Sequence, residues 1–149
     1  MTRLSDLELA AWQALLHAHD KITRQLDAEM RDRCDISLGD YDVLVRLARA
    51  PNGKLKMSGL AQRAMLSPSS LTRVVDRLVE RRLVARERST ADNRVVHASL
   101  TDDGHPRVRN AARIHLRGIR EHFTSLLTDE QLRAVSESLE VIAGPHQPH

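Results

Sequence analysis

Ser67-Pro68-Ser69-Ser70-Leu71-Thr72-Arg73-Val74-Val75-Asp76-Arg77-Leu78 is the stretch that decides how this 149-residue chain is read. Ser67 has the side chain of a helix N-cap, and Pro68 follows at the first helical position, where its missing N–H costs nothing. Leu71, Val74, Val75, Leu78 and Val79 recur at i, i+3, i+4, i+7 and i+8, which is one apolar stripe on an α-helix. The polar side carries Ser69, Ser70, Thr72, Arg73 and Arg77. Hydroxyls and guanidinium groups on an exposed helix match the donors and acceptors that a DNA major groove presents.

On the C-terminal side, Leu83–Arg88 and Val95–Leu100 read as two short strands around the turn-rich Ser89-Thr90-Ala91-Asp92-Asn93. This predicts a hairpin with Arg94 near its tip, where a cation can enter a minor groove, and with Asp92 bracing Arg94 or the turn. On the N-terminal side, Ser58 is expected to cap a short helix through Leu60, Ala61 and Ala64. That helix and the one from Ser67 make a helix-turn-helix. Lys56, Ser58 and Arg63 are read as lying around the start of the short helix, within reach of phosphates.

Farther out, Trp12, Leu15, Leu16, His19, Ile22, Leu26 and Met30 predict a long helix from about Leu7 to Arg31. Ser37, with Asp40 three residues on, starts a second helix whose stripe is Leu38, Tyr41, Leu44, Val45 and Ala48; Ala50-Pro51-Asn52-Gly53 ends it. Thr101 is expected to cap a helix carrying Val108, Ala112, His115, Ile119, Phe123 and Leu126. Thr128 and Gln131 form a capping box for a last helix through Leu132, Val135, Leu139 and Ile142, before a frayed tail from Pro145 to His149. A winged module of roughly 60 residues cannot cover all these terminal stripes alone. Either they wrap the module in a monomer, or they pack together and against a second copy in a two-fold homodimer, the simpler solution.

Composition agrees with a mainly α fold carrying a small β-hairpin wing. Hydrophobic residues make up 41% of the chain, and Trp12, Tyr41 and Phe123 are its only aromatics, so the core is aliphatic and single-strand stacking platforms are lacking. Residues 54–94 hold ten Lys/Arg against four Asp/Glu, a surplus of six, while the rest holds 13 against 16. A basic centre between acidic flanks is the footprint of a polyanion-binding surface. A single cysteine, Cys34, rules out an internal disulfide framework. With no membrane-length apolar run and Asp6 and Glu8 interrupting any leader pattern, a cytoplasmic location is expected.

Leu71-Thr72-Arg73-Val74-Val75-Asp76-Arg77-Leu78, then Leu83-Val84-x-Arg86, Asp92-x-Arg94 and Leu100-Thr101-x-x-Gly104, in this order and spacing, resemble the MarR family of winged-helix transcriptional regulators. The resemblance spans nearly the whole chain as one domain, with the winged helix-turn-helix at about 36–100 and dimerisation helices at about 5–33 and 103–143. It implies a winged helix-turn-helix homodimer on a pseudo-palindromic double-stranded DNA operator, acting as a repressor and released by a small aromatic or phenolic acid. It also implies that Asp76 orients a neighbouring arginine. One departure stands out: the family usually has glycine where this chain has Arg82.

Within that reading Arg73 is assigned to base edges, where a guanidinium pairs bidentately with guanine, and Arg94 to the minor groove. Ser69, Ser70 and Thr72 read equally as base or phosphate contacts, and Arg77 as a phosphate contact or the partner of an acid. Trp12, His17, Tyr41, Asp42 and Arg46 come from the elements that line the family's inducer cleft, with Trp12 stacking on an aromatic acid and Arg46 pairing its carboxylate. Trp12 and Tyr41 also read as core packing.

Catalysis and metal binding find little support. His17 and His19 point about 200° apart on a helix, and His115 and His122 are two turns apart, so neither pair chelates one ion. No nucleophile–base pattern, phosphate loop or cofactor motif is present, and Cys34 reads as a lone thiol. The remaining alternative is a winged-helix module that binds protein without sequence-specific DNA binding.

Overall fold

The computed structural model describes residues 3–144, so the tail from Pro145 to His149 lies outside the described residues. The chain runs α1 (Asp6–Cys34), α2 (Leu38–Arg49), β1 (Lys54–Lys56), α3 (Met57–Arg63), α4 (Pro68–Glu80), β2 (Val84–Arg88), β3 (Val96–Leu100), α5 (Gly104–His122) and α6 (Asp129–Ala143). Four helices start on side-chain caps. The Ser5, Ser37, Ser67 and Thr128 oxygens accept from the backbone N–H groups of Glu8, Asp40, Ser70 and Gln131, and the first and last close full capping boxes.

Three expected boundaries differ. Ser58 does not cap α3: the helix begins at Met57, and its N-cap, Lys56, makes no side-chain cap bond. Strand β1 feeds directly into that helix, so sheet pairing sets its start. The expected two-strand wing is a three-stranded antiparallel sheet in the order β1-β3-β2, with Leu55 opposite Ala98 and Arg86 opposite Ala98 from the other side. Helix α5 ends at His122, and Phe123 leaves helical geometry before a 3-10 turn at Thr124–Leu126. At its start, Thr101 Oγ1 accepts from the Gly104 N–H at 3.0 Å, although the helix proper begins only at Gly104. Gly104 is required there, because a Cβ would overlap the Leu83 carbonyl.

Helix α4 ends in a Schellman motif. The Leu83 N–H bonds Leu78 O and the Arg82 N–H bonds Val79 O, both at 2.9 Å, with Arg82 left-handed at φ 60°. The arginine in the glycine place therefore keeps the glycine geometry. Thr101 Oγ1 donates to Arg82 O at 2.5 Å and ties this turn to the end of β3 at the base of the wing.

The core lies under α2, α3, α4 and α5, with Met30, Ile36, Leu44, Leu47, Leu60 and Leu78 wholly buried. Each such side chain contributes about 1.5–3 kcal/mol of apolar burial. The N-terminal half of α1 is exposed throughout and α6 has no fully buried residue, only Leu132 and Val135 being half-buried; Trp12 is 55% exposed and Val141 86%.

Candidate nucleic-acid interface

The local sequence of α4 sets its polar face. Leu71, Val75 and Leu78 are buried, which turns Ser69, Ser70, Thr72, Arg73 and Arg77 outward. The Ser67 hydroxyl holds the Ser70 N–H and bonds the hydroxyls of Ser69 (3.2 Å) and Ser70 (2.8 Å). Thr72 Oγ1 donates to Pro68 O at 2.8 Å, so its free lone pairs face out as acceptors. Arg73 is exposed and has no ion-pair or hydrogen-bond partner among the described residues. Arg77 does have an acid partner: it donates to Asp40 Oδ1 at 2.8 Å.

A groove of about 560 Å3 separates α4 from the wing. Its lining brings together Lys56, Ser58, Thr72 and Arg94, together with Asp76 and Arg86. Arg86 on β2 bridges Asp76 and the Thr72 carbonyl of α4, joining wing to helix. This is the acid–arginine orientation that the resemblance implies for Asp76. At the wing tip, Asp92 Oδ1 accepts from both the backbone N–H (3.0 Å) and Nε (3.3 Å) of Arg94. The Arg94 side chain remains 91% exposed.

Arg63 sits elsewhere. Helix α3 has seven residues, and Arg63 is in its last turn, away from Lys56 and Ser58. It lines a second, larger cavity of about 1190 Å3 between α1, α2 and α5. Tyr41, Asp42 and Arg46 line this cavity, whereas Trp12 and His17 do not. The α1 wall comes from Thr23, Arg24 and Asp27. At 1.5 Å per residue His17 lies about 9 Å, and Trp12 about 16 Å, up the helix from Thr23. Arg46 is held by Asp42 through two bonds of 3.1 and 3.2 Å. Arg49, Arg63 and Arg109 line the same cavity without acid partners among the described residues. His115 packs on Tyr41 with ring centroids 4.7 Å apart. Burial lowers the His115 pKa and raises that of the Tyr41 phenol, so both are neutral near pH 7. Sequence reading passed over Arg49, Arg109 and His115; the signal was available for His115, which sits on the apolar stripe of α5.

Among the described residues one group has metal-ligand spacing, Glu29, Glu121 and His122, with ligand atoms within 4.8 Å of one another. His122 and Glu29 already bond each other at 2.6 Å across α1 and α5. The four histidine positions weighed in the sequence contribute only His122. Cys34 is buried, its Sγ 3.1 Å from Met30 O, and burial pushes its thiol pKa up, away from thiolate reactivity. No helix among the described residues is long and apolar enough to cross a membrane.

The MarR family profile matches residues 36–96, the segment containing α2, the helix-turn-helix and most of the wing. The HTH-type transcriptional repressor MdtR of Bacillus subtilis is 32% identical over 129 residues, covering 87% of this chain and 78% of MdtR. The chain belongs to the MarR family. It is a transcription regulator, not an enzyme. Two Streptomyces coelicolor regulators of the family share the fold. AbsC has a TM-score of 0.89 at 32% identity, covering 96% of both chains. Sco3205, solved in complex with DNA, has a TM-score of 0.89 at 30% identity, covering 98% of this chain and 95% of its own. MarR regulators bind DNA, and in this one the polar face of α4 and the wing bound a single groove.

Proposed function

We propose that this regulator is a homodimeric repressor that reads a pseudo-palindromic operator and releases it when a small aromatic acid fills the cavity between α1, α2 and α5. The observation that carries the DNA reading is Arg73, without a partner among the described residues, on the outer face of α4 and flanked by a groove lined with Lys56, Ser58, Thr72 and Arg94. Arg73 reads base edges and Arg94 enters the minor groove. Ser69, Ser70 and Thr72 serve as short-range contacts around Arg73.

Dimerisation is supported by the exposed Leu7, Trp12, Leu16, Leu139, Val141 and Ile142 on α1 and α6. An apolar surface of this kind at both chain ends fits a self-complementary interface. The effector reading rests on the larger cavity. Its walls are apolar (Val45, Val108, Ala112, Ile119) and carry three arginines without acid partners among the described residues, a lining suited to an amphipathic anion.

The test is selection of bound duplexes from a random pool, followed by titration at several salt concentrations. The expected result is a pseudo-palindromic site bound by two copies, with affinity falling steeply as salt rises. Arg73→Ala should cost about 1–3 kcal/mol and flatten preference at one position of each half-site. Benzoate and salicylate, added in calorimetry, should bind and weaken the complex. A chain that remains monomeric and shows no salt-dependent duplex binding overturns the reading.

A further inference from the structure

Asp40 is the only charged side chain buried among the described residues, at 6% exposure. A carboxylate removed from water persists only with a compensating partner. Its partner is the Arg77 guanidinium, 37 residues later on α4. Asp40 is itself held firmly: its N–H bonds the Ser37 hydroxyl at 3.0 Å, and it lies in the first turn of α2, where the helix dipole favours negative charge. A second tie lies one turn farther along α4. Arg81 donates to the Asp35 carbonyl at 2.5 Å and to its carboxylate at 3.2 Å, and Asp35 is the left-handed residue that ends α1. Arg77 in the last turn of α4 and Arg81 at its C-cap are therefore anchored to the α1–α2 elbow.

We infer that Asp40 is a positioning residue for DNA recognition: by holding Arg77 it sets the rotation of α4 about its own axis, and with it the aim of Arg73 one turn away. Residues 73, 77 and 81 share a ridge of the helix at four-residue steps. Side chains reach about 5–6 Å from a helix axis, so a 20° rotation moves an Arg73-like side chain by about 2 Å. That displacement removes a bidentate bond to a base, whose geometry tolerates much less. Arg77 thus acts through Asp40 and not as a free phosphate cation. The inference rests on the sequence-specific reading above.

The sign of one substitution separates the two roles. Asp40→Asn preserves shape and removes a negative charge. If Arg77 were a phosphate contact restrained by Asp40, its release would strengthen binding to every duplex and steepen the salt dependence. If Asp40 positions α4, the same substitution weakens binding to the selected operator at least tenfold. It leaves affinity for unrelated duplex and the salt slope unchanged, and broadens base preference at the position read by Arg73. Asp40→Glu, which keeps the charge, should restore part of the preference. Arg77→Gln should match Asp40→Asn, and the double variant should lose no more than either alone. Circular dichroism at the assay temperature confirms that each variant is folded. Asp40→Asn with tighter binding, or with unaltered preference, overturns the inference while leaving the specific reading intact. A wild-type chain indifferent to sequence overturns both.

Discussion

Replacing Arg82 with glycine should make this regulator more stable, although it deletes an entire side chain. Arg82 sits at φ 60° in the Schellman turn that ends α4. Its side chain is exposed and has no hydrogen-bond or ion-pair partner among the described residues. A left-handed conformation costs an L-residue roughly 1–2 kcal/mol, and glycine removes that strain. Against this, glycine gives the unfolded chain extra freedom, a loss of about 0.5–1 kcal/mol. The net gain is about 0–1.5 kcal/mol, centred on about 0.75 kcal/mol. For a chain of this size the central value corresponds to a rise in Tm of about 2–3 °C, with about 6 °C as the upper bound. Arg82→Ala is the control, since it removes the charge but keeps the Cβ and therefore the strain. Thermal unfolding followed by circular dichroism, at one fixed protein concentration, measures both variants. The expected order is glycine above wild type, with alanine level with wild type. A lower Tm for the glycine variant refutes the strain argument. Equal gains for both variants also refute it, because the cause would then be relief of repulsion from neighbouring arginines.

Gly104→Ala should destabilise by about 1–3 kcal/mol, read from the urea midpoint, because the new Cβ would overlap the Leu83 carbonyl, and backbone yields less readily than a side chain. Arg94→Ala should weaken binding to all duplexes alike and lower the salt slope by about 1, leaving base preference unchanged, in the same titrations that test Arg73. Stability should fall as pH drops below the ordinary histidine pKa. His115 is half-buried, and desolvation lowers its pKa, so the unfolded chain takes up the proton first. Its contribution is full above that range and is lost on acidification. Urea midpoints at pH 7.5 and 5.5 should therefore differ less in His115→Gln than in the wild type.

How much of the interface was legible depended on how locally each part is held. The polar face of α4, the wing and its Asp92–Arg94 brace involve residues within about one turn or one hairpin of each other, and the pattern of residue types displays them. The cavity between α1, α2 and α5 was half legible. Tyr41, Asp42 and Arg46 share a helix face that does reach the cavity, but Trp12 and His17 were placed there by element alone, and α1 is long enough to carry them past it. Strand β1 was missed because three residues, Lys54–Lys56, carry no period of their own. The pairing of Arg77 with Asp40 could not be chosen from the sequence, since an acid and a phosphate are both chemically suitable partners.

The chain's own order of residues was enough to determine which segments coil, the caps of α2, α4 and α6, which face of α4 is polar and where positive charge collects, because those properties depend on neighbours three or four residues away. Folding in three dimensions decided the rest. Asp40 met Arg77, Asp35 met Arg81 and the Cys34 carbonyl met Arg107 across separations of 37, 46 and 73 residues. Such pairs form only after the apolar stripes have buried one another, since no local hydrogen bond or period draws the two ends together.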